Sequence, residues 1–305
     1  MGIVDLHCDT ISAAASRGLS LRSNQLQWDL DRAKNAQLKV QFCALFSLGG
    51  EGCLRWILKQ VEYFHKQLEK ENQAVYLVKS YTDILNSSNR NKVAAILHLE
   101  GGDSLGADLE ILHLLQRLGL RSLGLTWNHR NLLADGVSED PGAGLSKAGK
   151  LFVQELKKLN MILDLAHAAP RSFYEAMELY GGPVMVSHAN ARALCNHPRN
   201  LDDVQLRKLA DADGIIGVTL VPEFVRYNHA KIEDLLDHVV YIAELIGVHH
   251  LALGSDFDGS DDMLMPGIES YQDWNSLLTS RGFSAADIDL ILQGNALRFL
   301  ENVLV

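Results

Sequence analysis

Eight short apolar runs, each followed by a longer stretch of helical periodicity, divide this 305-residue chain from end to end. The runs are Ile3-Leu6, Lys39-Phe46, Val93-Leu99, Ser122-Thr126, Met161-Ala166, Val184-Ser187, Ile215-Leu220 and Leu251-Gly254. One intervening segment shows the helical spacing well: Leu54, Ile57, Leu58, Val61, Phe64 and Leu68 share a face, with Lys59, Glu62 and Lys66 opposite. Eight strand-then-helix units of this length predict a closed TIM (β/α)8 barrel, one domain over residues 1–305. A doubly wound open sheet has the same alternation. It would carry a Gly-rich turn after its first strand, where this chain has His7-Cys8-Asp9-Thr10. Asn86-Asn91 reads as a polar loop before the third run, Gly136-Gly144 as a loop on the active-site side, and Leu297-Val305 as the end of a packed helix.

The charge balance excludes some partners. Lys plus Arg total 28 against 38 Asp plus Glu, a net charge of −10, which repels polyphosphates and argues against nucleic acid. The four cysteines form no C-x-x-C pair and suggest free thiols in a reducing cytosol. Gly2-Ile3-Val4-Asp5-Leu6-His7 already reads as a strand rather than a secretory leader, Leu6 stands where a myristoylation motif needs Ser or Thr, and no apolar run is long enough to span a bilayer. The expectation is a cytoplasmic protein without a membrane anchor.

In a barrel of this kind, reacting groups sit at the carboxyl ends of strands. Those positions here carry His7 and Asp9, Glu100, His129, His167, His188, and Asp256 with Asp258. One such residue alone is more often a hydrogen-bonded structural group, but recurrence at six strand ends is a different matter. His7 and Asp9, two apart on extended backbone, project to one side and can serve one ion. Glu100, with two oxygens, can bridge a pair, and His167 with His188 can complete a second site. Imidazole with carboxylate suits Zn²⁺, with Mn²⁺ or Co²⁺ as substitutes. Two such ions roughly 3.5–4 Å apart are a common hydrolytic arrangement. Asp256-Phe257-Asp258-Gly259 could instead resemble a calcium loop, although it lacks the other oxygen ligands. His98, two before Glu100, can face the same interior. His65, His113, His197, His229, His238, His249 and His250 read as surface or structural residues.

At these residues the sequence resembles the membrane dipeptidase (renal dipeptidase) family, peptidase family M19. The matching stretches are Asp5-Leu6-His7-Cys8-Asp9, Leu99-Glu100-Gly101-Gly102, Leu125-Thr126-Trp127-Asn128-His129, Asn160 through His167, Val186-Ser187-His188, Arg199-Asn200, Gly254 through Gly259, and Gly294-Asn295-Ala296-Leu297-Arg298. The resemblance implies two zinc ions, His7 and Asp9 on one, His167 and His188 on the other, with Glu100 bridging. It implies hydrolysis of dipeptides, including those with a C-terminal D-residue, by a bridging hydroxide. His129 would contact substrate and stabilise the oxyanion, Arg199 would grip the C-terminal carboxylate, and Asp256 would act as acid/base. A homodimer would be usual for such relatives, whereas the animal members' lipid anchor is not expected here.

Two positions depart from the family pattern. Thr219-Leu220-Val221 stands where relatives usually have Asn-Phe-Tyr, the Tyr helping to bind substrate, and Asp103 stands where some have His. Two other readings compete. A related amidohydrolase acting on another bond would usually carry His-x-His on strand one and a metal-bridging Lys, and this chain has neither. A barrel that binds peptide or metal without turnover is motivated by Val221.

Overall fold

The computed structural model describes residues 2–139 and 142–305, and its strands all run parallel. They are β1 (Ile3–Cys8), β2 (Leu38–Phe46), β3 (Val75–Leu77), β4 (Val93–Glu100), β5 (Leu120–Gly124), β6 (Ile162–Asp164), β7 (Met185–Val186), β8 (Ile215–Val218) and β9 (Leu251–Leu253). Hydrogen bonding follows the order β2-β1-β9-β8-β7-β6-β5-β4-β3, and a β2–β4 pairing from Val40↔Ala94 to Phe46↔Glu100 closes the ring. Eight strands therefore make a TIM (β/α)8 barrel. The extra strand, β3, adds only to the first residues of β4, Val93 to Ala95, below the point where β5 begins to pair at Leu97.

Each of the eight apolar runs overlaps one barrel strand. The periodic segment around Leu54–Leu68 is the helix Cys53–Lys70, which buries Ile57, Val61 and Phe64 against the sheet. One expectation fails: Asn86–Asn89 continues the helix Tyr81–Asn89 rather than forming a loop. A capping box of Ser80 and Asp83 starts that helix, which buries Ile84 and Ser87 and leaves Ser88 and Asn89 exposed. In the Gly136–Gly144 loop, Asp140 and Pro141 lie outside the described residues. The C-terminal stretch is the helix Asn295–Val303, as its apolar spacing requires.

Two apolar clusters explain how the barrel holds its site. One packs the outer faces of the strands against the surrounding helices. The other fills the barrel's lower interior with Val4, Leu6, Val40, Phe42, Ala94, Ile96, Ile162, Met185, Ile215 and Ala252, and is plugged from below by Phe299, Leu300 and Val303. Above this apolar floor the interior becomes polar, with His98, Ser122, Asp164 and Ser187 all buried. The change of lining is read directly from β4, where Ala94 and Ile96 give way, at the same alternation, to His98 and Glu100. Two glycines leave room for this layer: a Cβ on Gly217 or Gly254 would come within 2.2 and 1.8 Å of the Ser187 carbonyl oxygen.

Candidate metal centre and substrate cavity

The carboxyl ends of the strands open into a cavity of about 700 Å³ lined by Asp9, Glu100, His167, His188, Arg199 and Asp256, among others. His7, fully buried, forms part of its floor. Its Nε2 lies 3.3 Å from Asp9 Oδ2, 3.7 Å from Glu100 Oε2 and 3.8 Å from Asp256 Oδ1. The other Glu100 oxygen faces the second half of the cluster: Oε1 is 2.8 Å from His167 Nε2 and 3.8 Å from His188 Nε2. Glu100 thus presents one oxygen to the His7–Asp9 side and one to the His167–His188 side. All five residues expected to bind metal converge here.

The backbone is bent to bring them together. His167 and Asp256 adopt left-handed conformations, with φ of 66° and 67°, directly after β6 and β9. His and Asp are among the residues that enter this region more readily, and such positions gather at functional sites. Buried carboxylates fix the turns. Asp5 Oδ1 accepts from the His7 and Ser255 backbone N–H groups, and its Oδ2 accepts from the Ser255 and Tyr271 hydroxyls. Asp164 Oδ1 accepts from the Ala166 and Ser187 N–H groups, and its Oδ2 accepts from the Ser187 hydroxyl. Each aspartate therefore clamps a serine whose next residue, Asp256 or His188, belongs to the cluster. Sequence reasoning passed over both, although Asp5 stands two before His7 by the same alternation that pairs His7 with Asp9.

Hydrogen bonding also sets which imidazole nitrogens carry protons. Asn128 Oδ1 accepts from His167 Nδ1 at 2.7 Å, so His167 presents Nε2 as a bare lone pair. The single Ser187 hydroxyl proton goes to Asp164, 2.5 Å away, and the Ser187 oxygen accepts from His188 Nδ1 at 2.8 Å. His188 Nε2 is then also a lone pair. These two bare nitrogens face each other at 3.0 Å. Burial and the nearby Arg199 charge push His167 down to about 4, and burial with the charges of His7 and Arg199 pushes His188 down, so neither is protonated at neutral pH. Two opposed lone pairs beside a carboxylate oxygen need a cation between them.

The carboxylates carry the same message. Burial and the Glu100 charge raise Asp9 to about 6, and burial, reinforced by Asp9 and Glu100, raises Asp256 well above the usual carboxylate range. Glu100 goes the other way: burial would raise it, but the charge and hydrogen bonds of His7 and His167 outweigh that. Asp9 and Glu100 with three inward-facing imidazoles are the donor types a divalent cation takes, and these five residues fit a pair of cations, with Asp256 beside them. Among the described residues His7–Glu100–His188 and His7–Asp9–Asp256 each bring ligand atoms within 4.8 Å of one another.

Around this cluster the expected substrate residues divide. Arg199, only 4% exposed, lines the cavity; its Nη2 donates to the His188 carbonyl oxygen, and its Nε has no partner among the described residues. It is no surface salt bridge. Asp256 also lines the cavity, as does Asp258, whose carboxylate accepts from the Thr10 hydroxyl and the Gln27 N–H. His129 is not brought to the cluster: it is exposed beside Trp127, 5.9 Å between ring centres, and its neighbour Asn128 reaches His167 instead. His98 is buried below the cluster, bonded to Ser122 and 3.4 Å from Asp164. Val221 lines the cavity next to Phe224, and Asp103 bonds Asn131 rather than entering the site.

A parallel barrel with a carboxylate–imidazole cluster at its mouth defines the metal-dependent hydrolase type of TIM barrel. The sequence pattern of the membrane dipeptidase family (peptidase family M19) matches residues 1–304, and the chain belongs to that family. Dipeptidase aclJ of Aspergillus oryzae is 30% identical over 91% of this chain and 70% of its own length. Among solved structures, a metallopeptidase from Rhodobacter sphaeroides, bound to a phosphinate mimic of L-Ala-D-Ala, superposes with a TM-score of 0.94 over 99% of both chains at 23% identity. The probable dipeptidase PvdM from Pseudomonas aeruginosa gives 0.92 at 20% identity, over all of this chain and 96% of its own. Among the described residues no helix is long and apolar enough to cross a membrane.

Proposed function

We propose that the chain, as one barrel unit over residues 1–305, hydrolyses dipeptides at a centre of two zinc ions, with Mn²⁺ or Co²⁺ as workable substitutes. The observation that carries this is the 3.0 Å approach of His167 Nε2 and His188 Nε2, both without a proton, next to Glu100 Oε1. His7 and Asp9 would hold one ion and His167 and His188 the other, with Glu100 between. Bound there, the ions would lower the pKa of a shared water and polarise the scissile carbonyl.

The chain's own residues supply the rest. Arg199 offers a planar fork to the substrate's C-terminal carboxylate, and such pairs are the stronger class of hydrogen bond. Its buried place beside the cluster at the bottom of the cavity puts the C-terminal carboxylate one residue from the scissile bond, which favours short peptides. Asp256, raised by burial among negative neighbours, is suited to take a proton from the attacking water and pass it to the departing amine. Val221 offers no donor where many relatives have Tyr, so the carboxylate depends more heavily on Arg199. His129 would join oxyanion stabilisation only if its loop turned inward. Acceptance of a C-terminal D-residue is supported by the L-Ala-D-Ala mimic held by the Rhodobacter relative. We further propose a cytoplasmic enzyme, with a homodimer as the assembly to test for.

Assay of purified protein on a dipeptide panel, before and after chelation and zinc return, tests the proposal. Turnover that is lost with metal and restored by zinc supports it. A metal-replete protein that hydrolyses other amides or esters, but no dipeptide, replaces it with the broader amidohydrolase reading.

A further inference from the structure

The cavity wall is chemically divided, and the barrel order says what the division means. Around the ring the strands run β1, β2, β4, β5, β6, β7, β8, β9, so β2 stands diametrically across from β7. Arg199 belongs to the loop after β7 and is packed over the Phe224 ring, 5.4 Å from its centre. The loop and helix after β2 contribute Phe46, Leu48 and Trp56 to the cavity on the opposite side. Trp127, after β5, extends that wall, its ring centre 5.5 Å from that of Phe46. Leu48 is 78% exposed at the rim, on a turn whose Gly49 and Gly50 take φ of 82° and 79°. A side chain has been placed at the mouth with its apolar surface uncovered, beside three half-buried aromatic rings. Between the two walls, on the β1 and β9 side, the lining is polar: Asp9, Ser12, Ser16, Asp256, Asp258 and Ser260, with Arg17 as its one cation among the described residues.

We propose that Phe46, Leu48, Trp56 and Trp127 form the subsite for the side chain of the substrate's first residue, and that the preferred substrates are dipeptides with a large apolar or aromatic N-terminal residue. The proposal rests on the dipeptidase reading above. A dipeptide anchored by its carboxylate at Arg199 lays its scissile bond over the cluster and its first residue against the β2 side. The ammonium group of that residue turns toward Asp9 and Asp256, and its side chain is left facing the apolar wall. Burial of that side chain also covers Leu48, so both apolar surfaces leave water together.

The experiment compares kcat/KM for Gly-Ala, Leu-Ala, Phe-Ala, Lys-Ala and Glu-Ala on the zinc-loaded enzyme and on the Leu48→Ser and Trp56→Ala variants. Each protein's Phe-Ala/Gly-Ala ratio is the readout, because general damage lowers both rates. One apolar group in an apolar pocket is worth roughly 10–200-fold, so the wild-type ratio should be at least about tenfold. Leu48→Ser, at an exposed position that the fold does not need, should reduce it severalfold, and Trp56→Ala more. The Ala-Leu/Ala-Gly ratio, which varies the residue on the Arg199 side, should hold. A flat wild-type ratio, a preference for Lys-Ala or Glu-Ala, or ratios unchanged in both variants would overturn the subsite while leaving the dipeptidase reading intact. Failure to cleave any dipeptide would bring down that reading itself, and the subsite with it.

Discussion

Ser187→Ala is a one-atom change that should act on metal affinity through a proton. Ser187 passes its hydroxyl proton to Asp164 and accepts from His188 Nδ1, which leaves His188 Nε2 free to bind. With the hydroxyl gone, His188 either keeps an unpaired Nδ1–H in a buried site or moves the proton to Nε2. The second choice is favoured, because His167 Nε2 waits 3.0 Å away as an acceptor. An unpaired buried donor costs about 1–3 kcal/mol, and a cation must pay this to recover the productive tautomer. At about 1.4 kcal/mol per decade that is roughly a 5- to 150-fold weaker metal, in line with the usual effect of groups that orient metal-binding histidines. Asp164 retains the Ala166 and Ser187 N–H groups, so the metal-free variant should melt within a few degrees of the wild type. Competition against a chromophoric zinc chelator measures the affinity, and long-range ¹⁵N–¹H correlation in the metal-free protein reads the His188 tautomer. Affinity within twofold of wild type, or a tautomer still protonated on Nδ1, would refute the reasoning.

Arg199→Met should lower kcat/KM for free dipeptides by roughly 10- to 100-fold, the worth of a charge-assisted hydrogen bond of about 1.5–3 kcal/mol, with metal content intact. The same change should matter little for C-terminally amidated substrates, and equal losses on both would remove Arg199 as the carboxylate anchor. Asp256→Asn should keep its metal and lose roughly 10²–10⁴ in kcat; a fall in metal occupancy instead would make Asp256 a ligand. Metal affinity should drop as the pH falls, because two proposed ligands must be free of protons to bind: His7, which burial would lower but Glu100 and Asp9 hold well above its ordinary value, and Asp9, raised to about 6 by burial and Glu100. Chelator competition at about pH 7.5 and about pH 5 checks this, and equal affinities would exclude both from the ligand set.

The parts of this molecule that were readable in its sequence share a cause: each is set by spacing along one strand or helix. Short apolar runs located the eight barrel strands, and the first ionisable residues after five of them are His7, Glu100, His167, His188 and Asp256. β3 escaped because three residues pairing only with the lower part of β4 leave no periodic mark. Asn86–Asn89 looks like a loop because all four residues are polar, yet they close a short helix started by a cap that lies six residues upstream, with Ser87 turned inward. The clamps Asp5–Ser255 and Asp164–Ser187 join different strands, so no local pattern announces them. Asn128 was overlooked for its neighbour His129, because residue type alone favours the imidazole, whereas the turn after β5 sends the amide to His167 and leaves the ring in solvent.

Peptide cleavage at this mouth is proposed to depend on a pair of cations. Elemental analysis of freshly purified, active protein, with the rate of dipeptide hydrolysis followed as metal is removed stepwise, measures that dependence. Two divalent ions per chain, zinc preferred, are expected, with activity that vanishes as they leave. Undiminished turnover from protein rigorously stripped of metal would rule out a metal-dependent site.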